Sequence, residues 1–354
     1  MKKIYIITFH WATNYGAILQ SYALQEYLKS KGYDVEIINY TPRNHKKTFL
    51  KCWIAKPKSW LSNLREFKKE SKLKEFRKKY LNLTKNYSTY NQLKKQKWDD
   101  AIFICGSDQI WNSFFTLHGE GCKTLSYYLG FAPKTSIKIS YAASFGAVCV
   151  DEKLNEILLE QLNEFSAVSV RENSGVEILS KIGIESTLVC DPVFLHDSKF
   201  YEKFIDPSKQ DFCDKKIFSY ILHQDDNASR ILNDVALKTG CEVLKIEDVG
   251  YGLEDWIKNI SSSSIVVTNS FHATAIAILF HVPFVSVLLE GSGMNDRINT
   301  LLKALGLSSR IIASHDTIRL SEILSTQIEW DVVDENIKEL TKSGVDFLNN
   351  SLIF

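Results

Sequence analysis

Apolar positions along this chain fall into two alternating patterns. Short runs rich in β-branched residues, such as 4–9 and 101–105, read as strands buried on both faces. Between them, apolar residues recur every three or four positions, as on an amphipathic helix. In residues 16–31 that repeat is Ile18, Leu19, Tyr22, Ala23 and Tyr27, and Gly32 stands where a left-handed cap ends a helix. With a strand at 35–40 this makes one βαβ unit, and such units build parallel sheets. Strands follow at 137–141, 167–170 and 188–190, with helices at 152–165 and 174–182. A polar, irregular stretch at 200–216 marks a domain junction. Beyond it come strands at 217–222, 243–246, 265–268 and 284–288. Helices at 225–238, at 253–260, from about Ser270, and at 297–305 lie between or after them, the last capped by Asp296 and ended by Gly306. The expected fold is α/β: two Rossmann-like lobes with parallel sheets, 1–205 and 206–354, and a cleft between the lobes at the strands' carboxyl ends.

The length of 354 residues suits two domains. Hydrophobic residues at 45% and charged residues at 24% exclude a disordered, collagen-like or coiled-coil chain. A net charge of +1 argues against a nucleic-acid binder, yet it hides a division. Residues 43–97 hold 18 Lys/Arg against 3 Glu, a net of +15, which leaves 25 basic and 39 acidic residues elsewhere, a net of −14. Within the basic segment Trp60, Leu64, Phe67, Phe76, Tyr80 and Leu83 keep helical spacing, so it reads as an amphipathic helix inserted in the first lobe. It is either a solvated face or a surface for anionic membrane or a lipid-diphosphate-linked glycan. Near such a surface each Lys or Arg adds about 1 kcal/mol, screened by salt.

Seven scattered cysteines with no CxxC pair read as small buried hydrophobes in a reducing compartment. The start, Met1-Lys2-Lys3 followed by 4–9, mimics a signal peptide, but the apolar run is too short and His10 interrupts it. The longest apolar stretch, 275–289, contains His281 and Pro283 and falls short of the roughly 20 residues a membrane span needs. The expected setting is the cytoplasm, at the inner face of the membrane if the basic segment touches lipid.

Several residues stand where a strand gives way to a loop or helix. His272, in Thr268-Asn269-Ser270-Phe271-His272-Ala273, opens a helix. The backbone N–H groups there favour anions and disfavour a cationic ring, which suits a neutral His moving protons; the same position suits a His that only caps. Arg171 follows a strand, and its fork fits a phosphate or carboxylate, or equally a structural pair with Glu172 or Asp191. Asn14, Tyr15 and Gly16 begin the first helix, where Gly permits close approach and Asn caps, as in any strand-to-helix turn. Ser107 and Asp108 follow Gly106, a composition that serves a turn or positions a hydroxyl substrate. His10, His223 and Arg297 lie near other loops. No GxGxxG, GxSxG or P-loop is present, and no His/Cys/Asp/Glu set has metal-ligand spacing.

Taken in order, these segments resemble the polysaccharide pyruvyl transferase family over most of the chain. The matching stretches are Thr8-Phe9-His10 with Asn14-Tyr15-Gly16-Ala17, then Gly106-Ser107-Asp108-Gln109-Ile110-Trp111-Asn112 and Ser140-Tyr141-Ala142-Ala143-Ser144-Phe145-Gly146. Ser169-Val170-Arg171-Glu172, Asp191-Pro192 and Thr268-Asn269-Ser270-Phe271-His272 complete them. The resemblance implies a fold similar to GT-B glycosyltransferases. It also implies transfer of pyruvate from phosphoenolpyruvate to two hydroxyls of a sugar in an exopolysaccharide precursor, with no other cofactor. Family members are implied to use an Arg-Leu-His motif; the matching residues here are Ser270-Phe271-His272, with Ala273 where Gly usually follows. On that resemblance His272 is the expected acid/base. Arg171 and the start of the His272 helix are the expected anion contacts, with Arg297 as a weaker candidate. Ser270, Asn14, Tyr15, Gly16, Ser107 and Asp108 complete the expected substrate contacts. A nucleotide-sugar glycosyltransferase and an inactive carbohydrate-binding relative are the alternatives, the latter motivated by Ser270.

Overall fold

A computed structural model describes residues 3–42, 60–113, 125–150, 152–205, 215–223 and 225–352. The chain divides into two units, one made of Met1–Leu195 with Thr341–Phe354 and the other of His196–Leu340.

The first unit holds β1 (Lys3–Ile7), α1 (Tyr15–Ser30), β2 (Asp34–Ile37), α2 (Trp60–Tyr80), α3 (Tyr90–Lys95), β3 (Ile102–Asp108), β4 (Ile137–Ala143), α4 (Glu152–Leu162), β5 (Ser169–Val170), α5 (Asn173–Lys181) and β6 (Thr187–Leu188). The strands form one sheet in the order β2-β1-β3-β4-β5-β6, with every pairing parallel. In register, Ile4 lies beside both Val35 and Ile102, and all seven residues of β3 are buried. This is why the strands read as continuous apolar runs: helices cover both sheet faces. The chain steps outward from β1 to β2, then returns to the other side of β1 for β3. The sheet's switch point is therefore the gap between β1 and β3, where ligands bind in open α/β sheets.

The second unit holds α6 (Ser198–Glu202), β7 (Lys216–Tyr220), α7 (Asp226–Thr239), β8 (Glu242–Lys245), α8 (Ile246–Val249), α9 (Leu253–Ser261), β9 (Ile265–Thr268), α10 (Phe271–Leu279), β10 (Phe284–Val287), α11 (Asn295–Ala304), β11 (Ile311–Ile312) and α12 (Thr317–Ser325). Its parallel sheet runs β11-β10-β9-β7-β8, which puts a second switch point between β7 and β9. Local chemistry sets the helix starts. Asn14 accepts from the Ala17 amide, Asp225 from that of Ala228 and Ser270 from that of Ala273. At α11 the expectation differs: Asp296 lies inside the first turn and Met294 precedes the helix.

The last helix, α13 (Trp330–Ser351), begins in the second unit and ends in the first. The first boundary thus falls at Leu195 instead of 205, and residues 341–354 group with the first unit. Three contacts fix that tail. The Thr341 hydroxyl donates to the Phe194 carbonyl at 2.9 Å and that of Ser343 to Leu188 at 2.7 Å. Gly344 passes so close that a Cβ would collide with the Tyr141 hydroxyl and the Cys190 thiol.

The basic insertion departs from its expected single apolar stripe. Residues 43–59 and the Trp60 side chain lie outside the described residues. Along α2, Leu73 and Phe76 are buried, with the Phe76 and Tyr80 rings edge-on to Tyr22 of α1. Leu64 and Phe67 are 40% and 57% exposed. At about 100° per residue they fall opposite Leu73 and Phe76, so helical spacing alone did not place them on one face. Of the cysteines, Cys105 and Cys190 are buried as expected, but Cys149 is exposed and Cys241 half-buried; Cys52, Cys122 and Cys213 lie outside the described residues. Among the described residues no helix is long and apolar enough to cross a membrane.

Candidate functional site

In the first unit the expected site residues gather at the carboxyl ends of β1, β3, β4 and β5. The Thr8 hydroxyl donates to the Ser107 carbonyl across the switch point, and the Gln20 amide donates to Thr8 Oγ1. Ser107 Oγ lies 2.9 Å from the Ala142 carbonyl and 3.1 Å from Asp191 Oδ2. Arg171 lies beside both, its side chain 1% exposed, with Nη1 2.5 Å from Asp191 Oδ2 and Nη2 3.8 Å from Asp108 Oδ1. Burial pulls its pKa down, but Asp191, Asp108 and Glu172 outweigh that and hold it above the ordinary value. Of the two readings open for Arg171, this geometry supplies the internal ion pair. An incoming anion would face those carboxylates along with the guanidinium. Glu172 Oε1 accepts the backbone N–H groups of Phe145 and Gly146, which pins the loop after β4.

Gly106 makes this crossing possible. Its φ is +115°, and a Cβ there would overlap the Tyr141 carbonyl of the neighbouring strand. Gly106→Ala should cost about 2–3 kcal/mol, seen as a lowered urea midpoint. An unchanged midpoint would mean the carboxyl end of β3 relaxes freely.

Asn14 caps α1, and the Tyr15 ring is buried with Lys69 Nζ of α2 4.7 Å from its centroid. Sequence reasoning missed how α2 holds this loop. Arg77 Nη1 reaches the Trp11 and Ala12 carbonyls at 3.5 and 3.4 Å and pairs with Glu70, which accepts from the Thr13 hydroxyl at 2.8 Å. No local pattern signals contacts across so many residues; only the i, i+7 spacing of Glu70 and Arg77 hints that they share a face.

His10, at the end of β1, is buried with Nδ1 3.3 Å from the Thr8 carbonyl and Nε2 3.4 Å from Asn39 Oδ1. Burial pushes its pKa down to about 4, the two hydrogen bonds offsetting only part and the Arg77 charge adding slightly. In the unfolded chain the ring titrates near about 6.5, so between these values the unfolded state holds the proton and the folded state does not. The contribution is complete above that window and is lost as pH falls through it, by about 3 kcal/mol in all. Urea unfolding at about pH 4.5 and about pH 7.5 should show a smaller pH-dependent loss in His10→Gln than in the parent chain. Equal losses would acquit His10.

In the second unit Ser270 and His272 follow β9 at the other switch point, while Arg297 comes after β10. The Thr268 hydroxyl donates to the Tyr220 carbonyl at 2.5 Å and accepts from the Ser270 amide at 3.0 Å. Asn269 ties the two loops together: its Oδ1 accepts from the Leu222 amide at 2.7 Å, and its Nδ2 donates to the His223 carbonyl at 2.9 Å. On that platform Ser270 caps α10, and buried His272 occupies the first turn with its ring edge-on to Phe271. Ser270 therefore uses its hydroxyl on the helix. Arg297 lies in the first turn of α11, its Nε 3.4 Å from the Met294 carbonyl. Among the described residues no group of three or more His, Cys, Asp or Glu is placed to hold a metal.

A family model, polysaccharide pyruvyl transferase, matches residues 14–290. The chain belongs to that family. The match takes in Asn14, Ser107, Asp108, Arg171 and His272, while Arg297 lies beyond it. A comparison with curated proteins finds no match. Solved structures that the chain resembles include the S. aureus MnaA–UDP co-structure (TM-score 0.54, 11% identity, 97% of this chain and 91% of that one). A glycosyltransferase from Rickettsia africae (0.53, 10%, 99% and 97%) and a UDP-N-acetylglucosamine 2-epimerase from Rickettsia bellii (0.52, 12%, 99% and 98%) are similar. At such identity the likeness shows the fold: two parallel-sheet α/β units of the GT-B kind.

Proposed function

We propose that this pyruvyl transferase family member moves pyruvate from phosphoenolpyruvate onto two hydroxyls of a sugar in a surface or exopolysaccharide precursor, forming a cyclic ketal. The observation that carries this reading is His272, seated in the first turn of α10 at a switch point within a family member's matched region. In the first step one sugar oxygen bonds to C2 of the enol phosphate and C3 takes a proton to become the methyl group. In the second, the other sugar oxygen bonds to C2 while the C2–O bond to phosphate breaks. One hydroxyl proton thus ends on C3 and the other on inorganic phosphate. Both steps need a proton carrier, which is the role given to His272. The amide groups at the start of α10 and the Arg297 guanidinium suit the donor's phosphate and carboxylate. No further cofactor enters the scheme, and its setting is the cytoplasm.

The test is release of inorganic phosphate from phosphoenolpyruvate across a panel of free and lipid-linked glycans, with the product weighed by mass spectrometry. Release that depends on an acceptor, with a pyruvate ketal on the glycan, is expected. Thermal protection by a nucleotide sugar and none by phosphoenolpyruvate would instead make it a glycosyltransferase. No release with any glycan would leave a carbohydrate-binding relative.

A further inference from the structure

We propose that the outward face of α2 is a docking surface for an anionic lipid membrane. This helix has two dissimilar sides. Leu73, Phe76 and Arg77 are buried against the unit, and the Gln25 amide donates to the Tyr80 carbonyl at 2.9 Å, so the helix is seated firmly. The other side exposes Leu64, Phe67, Lys68, Ser71, Lys74, Glu75 and Lys78, with Arg65, Lys72 and Lys79 exposed at its flanks. The helix carries 8 Lys/Arg against 3 Glu, a net of +5, within a segment (43–97) of net +15 on a chain that is −14 elsewhere. A purely solubilising face has no need to concentrate one sign on an otherwise acidic chain.

Two large apolar side chains, one turn apart among those lysines, decide the kind of polyanion. Leu64 and Phe67 are 40% and 57% exposed, on the side that carries Lys68, Lys74 and Lys78. A basic face with an aromatic and a leucine fits the boundary between headgroups and acyl chains, where lysines meet phosphates and the apolar pair leaves water. A nucleic acid would use the lysines and gain nothing from Leu64. The inner side of α2 grips the Trp11–Tyr15 loop through Arg77, Glu70 and Lys69. A membrane on the outer side therefore sits one helix away from the loop that carries Asn14. That a lipid-linked acceptor arrives by this route rests on the function proposed above; the docking surface does not.

The experiment is co-sedimentation of the full chain with phosphatidylcholine vesicles, with and without phosphatidylglycerol, at low and raised salt. Binding should require phosphatidylglycerol and weaken with salt. Each lysine is expected to contribute about fivefold, so Lys68→Ala/Lys74→Ala/Lys78→Ala should lose about a hundredfold. Phe67→Ser should lose about tenfold without any change in net charge. All four positions are exposed, and unchanged thermal unfolding checks that the variants fold. Binding that ignores phosphatidylglycerol, or that survives both variants, overturns the proposal. So does capture by single-stranded RNA in preference to vesicles with Phe67→Ser unaffected. None of these readouts depends on enzymatic activity, so a failure of the docking surface and a failure of the pyruvyl-transfer reading are separately visible.

Discussion

His272→Gln should lower turnover by about 10²–10⁴-fold while the protein still folds. The size follows from the reaction: the proposed ketal needs a proton delivered to carbon and another removed from oxygen, and one positioned group serves both. The position follows from the sequence around it. Thr268 ends β9 bonded back to β7, Asn269 spans to Leu222 and His223, and Ser270 caps α10, so the turn that leads into His272 is held by a hydrogen-bonded platform. Gln keeps a polar group of similar reach, and α10 retains its cap and its apolar contacts, so the melting temperature should stay within a few degrees. Acceptor-dependent phosphate release measures the outcome, with circular dichroism to confirm the fold. Release at the parent rate in a folded variant would take His272 out of the chemistry.

The same platform shows how much a sequence reveals. Thr268-Asn269-Ser270 was readable as a strand end because the preceding run is fully apolar and the next residues cap a helix. The alternation of strands and helices was readable for the same reason, since parallel strands buried on both faces announce themselves. What stayed hidden depends on partners distant in the chain. Arg171 was equally consistent with a ligand anion and with Asp191, and only the sheet order brings Asp108, Ser107 and Asp191 to it. Helix α13 leaves little signal in the sequence because charged residues such as Asp331, Glu335, Lys338 and Lys342 interrupt its apolar positions. It is anchored by buried Val333, Phe347 and Leu348 and by the close approach of Gly344 to Tyr141 and Cys190, a contact no local window contains. On α2 the helical spacing predicts one apolar stripe, but the nine-residue step from Phe67 to Phe76 turns about 900°, half a turn out of phase, so the two apolar sets lie on opposite sides.

Arg171→Ala should destabilise the chain by about 3–5 kcal/mol, because it leaves Asp191 buried without its cation. Asp191 cannot simply turn to water: its side chain is fully buried, and it also accepts from the Val193 amide at 3.1 Å. Asp108 would lose the same cation while held at a φ of +72° at the carboxyl end of β3. For a unit of this size the loss corresponds to a fall in melting temperature of about 10 °C. Arg171→Lys should lie between, since a single ammonium cannot present a fork to two carboxylates. A second substitution separates charge from shape. In Arg171→Met/Asp191→Asn the amide oxygen can still accept from Val193 while the amide nitrogen faces Ser107, and the fully buried Asp191 charge is gone, leaving only Asp108 and Glu172 of the three carboxylates around Arg171. That pair should recover most of the stability lost by Arg171→Ala, as replacements of buried ion pairs often do. The two readings of Arg171 part at this point. If Arg171→Ala unfolds like the parent chain and only weakens phosphoenolpyruvate, measured as a raised KM, the guanidinium serves the substrate. If the double variant is stable and phosphoenolpyruvate affinity is little changed, Arg171 belongs to the frame that joins β3, β5 and Asp191. The 2.5 Å contact between two groups almost wholly removed from water favours the frame.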